Sequence, residues 1–209
     1  MRGRGMAKGY SYVVKRDYGF APNPFHGFIT LATCKPVIRK GAQVGDYVIG
    51  CADKRHGNRL VYMMKVSGIV TFDTYWTDTT YRCKKPVMNG SLVRMYGDNI
   101  YHRNGQGSWI QEDSHHSYAD GSANPDNLRR DTKTTDRVLI GEEFFYLGQS
   151  MIPLPDDLNG CIYRHVGQKC IAEVEALALW HYLEKRYPEK GLIDDPRQFR
   201  DFTRYDGKS

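Results

Sequence analysis

Gly45-Asp46-Tyr47-Val48-Ile49-Gly50, then Asp53-Lys54-Arg55-His56-Gly57-Asn58, then Leu60-Val61-Tyr62-Met63-Met64-Lys65-Val66, is the stretch whose reading decides the fold. A tight turn at Gly45-Asp46 opens a short apolar run that reads as a buried strand. Segment 53–58 combines charge with Asp, Gly and Asn, residues that accept turn geometry, and so reverses the chain. Leu60–Val66 is a second, stronger strand, extended in expectation through Ile69-Val70.

Outward from this pair, Tyr10–Val14 and Phe28–Thr33 have the β-branched and aromatic content of strands, the second ending at Cys34-Lys35-Pro36. Between them, Arg16–Gly27 holds Gly19, Pro22, Pro24 and Gly27 and reads as a loop. Asp73 is placed to cap a short helix. From Arg82 to Lys133 the chain is polar and turn-rich, with short strands expected near Ile100-Tyr101 and Trp109-Ile110. Arg137–Ile140 and Glu143–Leu147 are two strands split by Gly141. Residues 170–187 predict a helix whose inner face is Ile171, Val174, Leu177 or Ala178, and His181 or Tyr182, stopped by Pro188 and Gly191. The tail from Asp194 is charged and reads as peripheral. Strands of mixed length, short helices and one C-terminal helix describe an α+β fold around a curved mixed sheet or a small β-barrel.

The 209 residues suit one domain. The expected division is a flexible arm over 1–9, a domain over 10–150, and a C-terminal helical extension over 151–209 packed on that domain. A net charge of +6 points to anionic partners, nucleotide or nucleic acid first. Cys34, Cys51, Cys83, Cys161 and Cys170 are odd in number and lack CxxC spacing, which suits reduced thiols in the cytoplasm better than a disulfide framework or a zinc ribbon. No apolar run is long enough for a membrane span, so no membrane partner is expected.

Chemistry concentrates in Gly97–His102 and Asp113–Ser117, where three of the seven histidines fall among Asp, Asn, Ser and Tyr. Such a polar segment cannot build its own core, and scaffolded polar loops are where binding and catalytic groups collect. A histidine beside a carboxylate can work as acid or base near neutral pH. His102 with Asp98, and His116 with Asp113 or Asp120, are the candidate pairs, so His102, His116 and Asp113 are the catalytic candidates. The histidine spacing matches no metal motif, and neither a metal nor another cofactor is expected. Cys34, next to Lys35, is a possible nucleophile, set below the commoner role of a free cysteine as a small buried apolar group. Abundant aromatics with interspersed Lys and Arg fit stacking on a base and holding phosphate. Walker, GxGxxG, HExxH and GxSxG motifs are absent.

Longer strings carry a resemblance. Tyr12–Gly27, Thr30–Pro36, Gly45-Asp46, Gly97–His102, Asp113–Ser117 and Asp136–Gly141 resemble the second nucleotide-modification-associated domain family over roughly residues 10 to 150. The strand and hairpin order is also similar to PUA-like barrels, the group of the EVE, YTH and ASCH domains. The family resemblance implies a setting of nucleic-acid base modification or phage–bacteria conflict and brings no catalytic roles with it. The leading expectation is a domain that binds a nucleotide or nucleic acid and recognises a modified base. Asn99 and His115 would contact the ligand with the catalytic candidates, Arg16, Asp17 and Asn23 would form the facing wall, and Lys35 and Arg39 would lie near phosphate. The alternatives are an enzyme of base modification or nucleotide hydrolysis, and a non-catalytic subunit docking onto modification-system proteins.

Overall fold

The computed structural model describes residues 7–207. The expected arm lies outside the described residues up to Met6, while Gly9 already belongs to the first strand. Strands β1 (Gly9–Val13), β2 (Ile29–Leu31), β3 (Tyr47–Cys51), β4 (Leu60–Lys65) and β5 (Gly68–Thr71) precede β6 (Tyr101–Arg103) and β7 (Trp109–Gln111). After these come β8 (Arg137–Gly141), β9 (Glu143–Tyr146), β10 (Gln168–Ile171) and β11 (Gly191–Leu192). The helices are α1 (Pro36–Gly41), α2 (Phe72–Thr77), α3 (Leu92–Met95), α4 (Pro125–Thr132) and α5 (Glu173–Arg186).

The turn and hairpin at 45–66 form the centre of the molecule. Gly45 N–H donates to Val66 O, and Val66 N–H to Asp46 O, each at 2.8 Å, so the turn and the end of β4 close on each other. From there β3 and β4 pair antiparallel, Val48 opposite Met64 and Ile49 opposite Met63, with a slip in register between Gly50 and Cys51. A Cβ at Gly50 would lie 2.1 Å from the Tyr62 ring, so only glycine fits at the slip. The pair sits inside a six-stranded mixed sheet of order β10-β1-β3-β4-β9-β11, in which β1–β3 and β9–β11 are parallel.

Strand alternation sends neighbouring residues of this sheet to opposite faces. Ile49 and Met63 pack under α5 with Leu179, Trp180 and Leu183, while Val48 and Met64 meet Ile29, Leu31 and Leu139 of a second sheet, β2-β8-β5. Both faces are therefore dry, which explains the continuous apolar runs. The fold is α+β with a mixed sheet and several short helices. Neither larger sheet closes, so the barrel form of the expectation gives way to open sheets in separate layers. No helix of the described residues is long and apolar enough to cross a membrane.

Local expectations shift where tertiary packing decides. Ile69-Val70 does not prolong β4: Val66 and Ser67 turn the chain, and β5 pairs with β8 in the second sheet. Thr71, not Asp73, caps α2, its hydroxyl accepting from Thr74 N–H at 3.1 Å, and Asp73 instead holds Arg103. Helix α5 buries Ala176, Leu179, Trp180 and Leu183, while Val174 of the expected inner face is 72% exposed. Apolar residues lie on two sides of α5, and the period alone could not choose between them. We expect Leu179→Ala to cost about 3 kcal/mol in denaturant unfolding, as for other buried leucines, and Val174→Ala to change little.

The tail is not peripheral. Phe199 and Phe202 pack on the aromatic cluster around Tyr96, whose hydroxyl donates to Asp201 O at 2.9 Å. Tyr205 N–H donates to His115 O at 2.6 Å, and Arg204 pairs with Asp113. Charged residues at these positions hide an aromatic spacing that anchors the segment.

Candidate active site

Cys34 follows β2 at the point where the chain turns into α1. Pro36 at the start of α1 has no N–H to lose there and sets the first helical φ. The preceding residues take up the turn: Cys34 has φ +56° and Lys35 φ +41°, two successive non-glycine residues in the left-handed region. Each such residue costs about 1–3 kcal/mol and persists only when its surroundings over-determine it. They do so here: Cys34 N–H donates to Asp131 Oδ1 at 2.8 Å, and Arg39 Nε donates to Cys34 O at 2.8 Å. Arg39, fully buried, also donates to Asp131 O at 2.6 Å and Arg137 O at 2.9 Å, joining α1, α4 and β8.

Asp131 lies in the last turn of a helix, α4, whose start is well defined. Asn124 accepts from Asp126 and Asn127 N–H at 3.0 and 3.2 Å, with Pro125 next in line. The carboxylate is fully buried. Besides Cys34 N–H it accepts from Arg130 Nε at 2.9 Å, Arg130 Nη2 at 3.0 Å and Tyr101 OH at 3.0 Å, and it faces His116 Nδ1 at 3.3 Å. Although burial opposes ionisation, hydrogen bonding from His116 and the Arg130 charge hold the carboxyl well below the usual range.

His116 is 1% exposed and is fixed through its backbone, His116 O accepting from Gln111 Nε2 at 3.0 Å and Asn127 Nδ2 at 2.9 Å. With Nδ1 toward Asp131, its Nε2 faces Cys34 Sγ at 3.8 Å. A thiol, an imidazole and a carboxylate thus stand in line, in the arrangement by which a base activates a nucleophile and a third group orients the base. Burial pushes the Cys34 thiol up, but Arg130 and His116 outweigh it and the thiol ends below its ordinary value. For His116, burial lowers the imidazole, yet Cys34 and Asp131 raise it above the ordinary value. Both directions favour a thiolate–imidazolium pair, which titrates as a unit.

Half-buried Cys34 opens into a cavity of about 380 Å³. Tyr12, Phe20 and Tyr205 give it aromatic walls, and Lys15, Arg16 and Lys35 line it with Arg130. The tail supplies Tyr205, whose ring lies 4.3 Å beneath the Arg16 guanidinium.

The residues singled out from the sequence scatter over three environments. His115, His116, Arg16 and Lys35 line this cavity. His115 is pressed against Tyr18 and Phe20, and burial lowers it to about 3, so it is neutral, with Nδ1 toward Thr203 O at 2.5 Å. Arg39 is held by backbone carbonyls behind Cys34 and does not line the cavity. The others lie outside it. His102 stacks on Trp76 and pairs with Glu112 at 2.9 Å. Asp113 pairs with Arg204, not His116, and Asp120 accepts from Ser122. Asp17 binds Tyr146 OH and Arg197 N–H. Asn23 accepts from Lys84, and Asn99 donates to Tyr75 O at 2.5 Å. Asp98 is fully buried and accepts from Thr30 and Tyr75 hydroxyls, so it does not face His102.

Asp131 was not among the expected residues. Its neighbours Arg129-Arg130 make it resemble one half of a surface ion pair, and no local spacing ties it to residues 34 and 116. The Asn124-Pro125 helix start was the one available hint that an ordered helix presents it.

No curated protein and no solved structure matches the chain. The model of nucleotide modification associated domain 2 matches residues 6–203, running past the expected limit near residue 150 and into the tail, as far as Thr203. The chain belongs to the nucleotide modification associated domain 2 family.

Proposed function

We propose that this protein is a thiol-dependent enzyme acting on a nucleotide, with Cys34 as nucleophile, His116 as acid and base, and Asp131 as the group that orients His116. The observation that carries it is the Cys34–His116–Asp131 line at the floor of an aromatic, cationic cavity. A base-reading domain would account for the cavity walls but would leave two strained residues and three aligned reactive groups without a task.

The step is an addition. His116 Nε2 takes the Sγ proton, and sulfur forms a bond to an electrophilic carbon of the ligand. The π pair of that carbon moves onto the attached atom, which receives the proton back from His116. Asp131 keeps Nδ1–H directed at itself, so Nε2 remains free to accept. Cys34 N–H is committed to Asp131, so it does not stabilise the developing charge, which the proton returned by His116 neutralises.

The five cysteines provide internal controls for a test. Iodoacetamide at pH 6.5, followed by peptide mass spectrometry, should label half-buried Cys34 ahead of the exposed Cys83 and Cys170. Intact mass after incubation with nucleotides should show an adduct or turned-over product that Cys34→Ser lacks. Labelling of Cys34 no faster than Cys83, together with unchanged nucleotide turnover in Cys34→Ser, would sink the proposal.

A further inference from the structure

The Cys34 corner is poorly equipped for attack on a carbonyl carbon. The oxyanion formed there needs donors beside the sulfur, and the nucleophile's own N–H is the usual first one. Cys34 N–H is spent on Asp131 Oδ1 at 2.8 Å, and Pro36, just beyond, has no N–H. Proton traffic is narrow as well. The imidazole nitrogen facing Sγ is His116 Nε2, at 3.8 Å, so a proton taken from sulfur returns close to where it left. That suits an acceptor atom bonded directly to the carbon under attack, with the negative charge spread to a more distant oxygen.

The walls sort the bases. Among the described residues, no Asp, Glu or Asn lines the cavity, and Asp131 is not part of its lining. Cytosine has an amino group that needs an acceptor, and thiol addition to it needs a proton at N3. A carboxyl group serves both at once, and the lining has none. A base with carbonyls at C2 and C4 presents acceptors instead. Lys35, next in the chain after the nucleophile, brings a donor into the same cavity, its Nζ 4.5 Å from the Tyr12 ring centroid. Burial lowers this ammonium while the Cys34 charge raises it, so cation and nucleophile act on each other.

Resting on the thiol-enzyme proposal, we infer that the substrate base is a two-carbonyl pyrimidine, of the uracil or thymine type, and that Cys34 Sγ adds to its C6. The S–C6 bond forms as the π pair of the C5–C6 double bond moves onto C5, its charge shared with the C4 oxygen. His116 Nε2 then gives C5 the proton it took from sulfur, and no electrons are gained or lost overall. The C4 oxygen accepts from Lys35, and the aromatic walls flank the ring. Purines offer no matching carbon, because their corresponding double bond is the fully substituted fusion of two rings.

Fluorine at C5 reports such an addition directly. 5-Fluoro-2′-deoxyuridine, its 5′-monophosphate and a short single-stranded oligonucleotide carrying the same base are mixed with the full chain and followed by fluorine NMR. With at least one of them, wild type should move the fluorine signal from the region of a ring double bond to that of a saturated carbon. Cys34→Ser should leave it in place. The matching 5-fluoro-2′-deoxycytidine compounds should form adduct at least tenfold more slowly.

Absence of adduct with every uracil probe, in protein whose Cys34 is alkylated ahead of Cys83, would overturn the inference and leave the nucleophile standing. Cytosine probes reacting as fast as the uracil ones would overturn it too, as would an adduct that persists in Cys34→Ser. Slow alkylation of Cys34 with no adduct would instead bring down the thiol-enzyme proposal and this inference together.

Discussion

Arg130→Met moves the pH profile of Cys34 alkylation upward and slows it about tenfold or more at pH 7. Arg130 is the strongest influence lowering the Cys34 thiol, against burial, which raises it. Iodoacetamide reacts with the thiolate, so well below the thiol pKa each unit of upward shift removes about nine-tenths of the reactive form. A lowered pKa enlarges the thiolate fraction at neutral pH, and removing the cation reduces it. Asp131→Asn separates reactivity from catalysis. The Asp131 charge raises the Cys34 thiol, so its removal leaves alkylation at pH 7 as fast or faster. Turnover should nevertheless fall, because His116 loses the acceptor that fixes its Nδ1–H and the charge that supports its imidazolium. Stopped alkylation series from pH 5 to 10 on wild type and both variants check this. An Arg130→Met profile that coincides with wild type would refute the assignment of the cation.

Lys84→Met destabilises the fold by about 3–5 kcal/mol, the range for removing one member of a buried charged network, and lowers the melting temperature on the order of 10 °C. Lys84 is fully buried, and its Nζ donates to Asn23 O at 3.0 Å, Asn23 Oδ1 at 2.8 Å, Phe25 O at 2.7 Å and Phe28 O at 2.8 Å. It thereby ties the loop before β2 to the segment before α3. Methionine fills the volume but takes one donor from each of four oxygens and leaves the buried Asp98 without its cation. Burial lowers the ammonium to about 7, with Asp98 opposing. Between that value and the unfolded value of 10.5, the unfolded chain binds more protons, so this group makes stability rise with pH there and adds no slope below about pH 7. Denaturant melts at pH 7 and 9 should show a gain in wild type that shrinks in Lys84→Met. Equal midpoints for the two proteins at both values would contradict the role given to Lys84.

Much of the strand plan could be read without coordinates because it rests on local chemistry. Gly45-Asp46 had to turn, and the runs at 47–51, 60–65, 137–141 and 143–146 were too short and too apolar for anything but buried strands. His116 stood out because histidine is scarce and this one sits in a segment unable to bury itself. Val174 and Leu179 show where local chemistry stops: both belong to helical stripes, and only the layer packed against α5 decides which goes inside. Lys84 and Arg39 show the same for charge. A sequence marks them as surface cations, and their burial depends on carbonyl oxygens that other segments deliver.

The reactive line is the strongest case. The sequence supported an α+β fold and, through its motif strings, the nucleotide modification associated domain 2 family, and it singled out a histidine of the type that titrates near neutral pH. It could not establish that His116 turns toward Asp131 and Cys34, and away from the nearer Asp113 and Asp120. Hydrogen-bond geometry is set by positions in space, and here α4, the 114–117 turn and the β2–α1 corner come together only after both sheets and the tail have packed. That packing also supplies the Arg130 and His116 neighbours that lower the Cys34 thiol against the burial that raises it, properties of a site that no residue carries along the chain by itself.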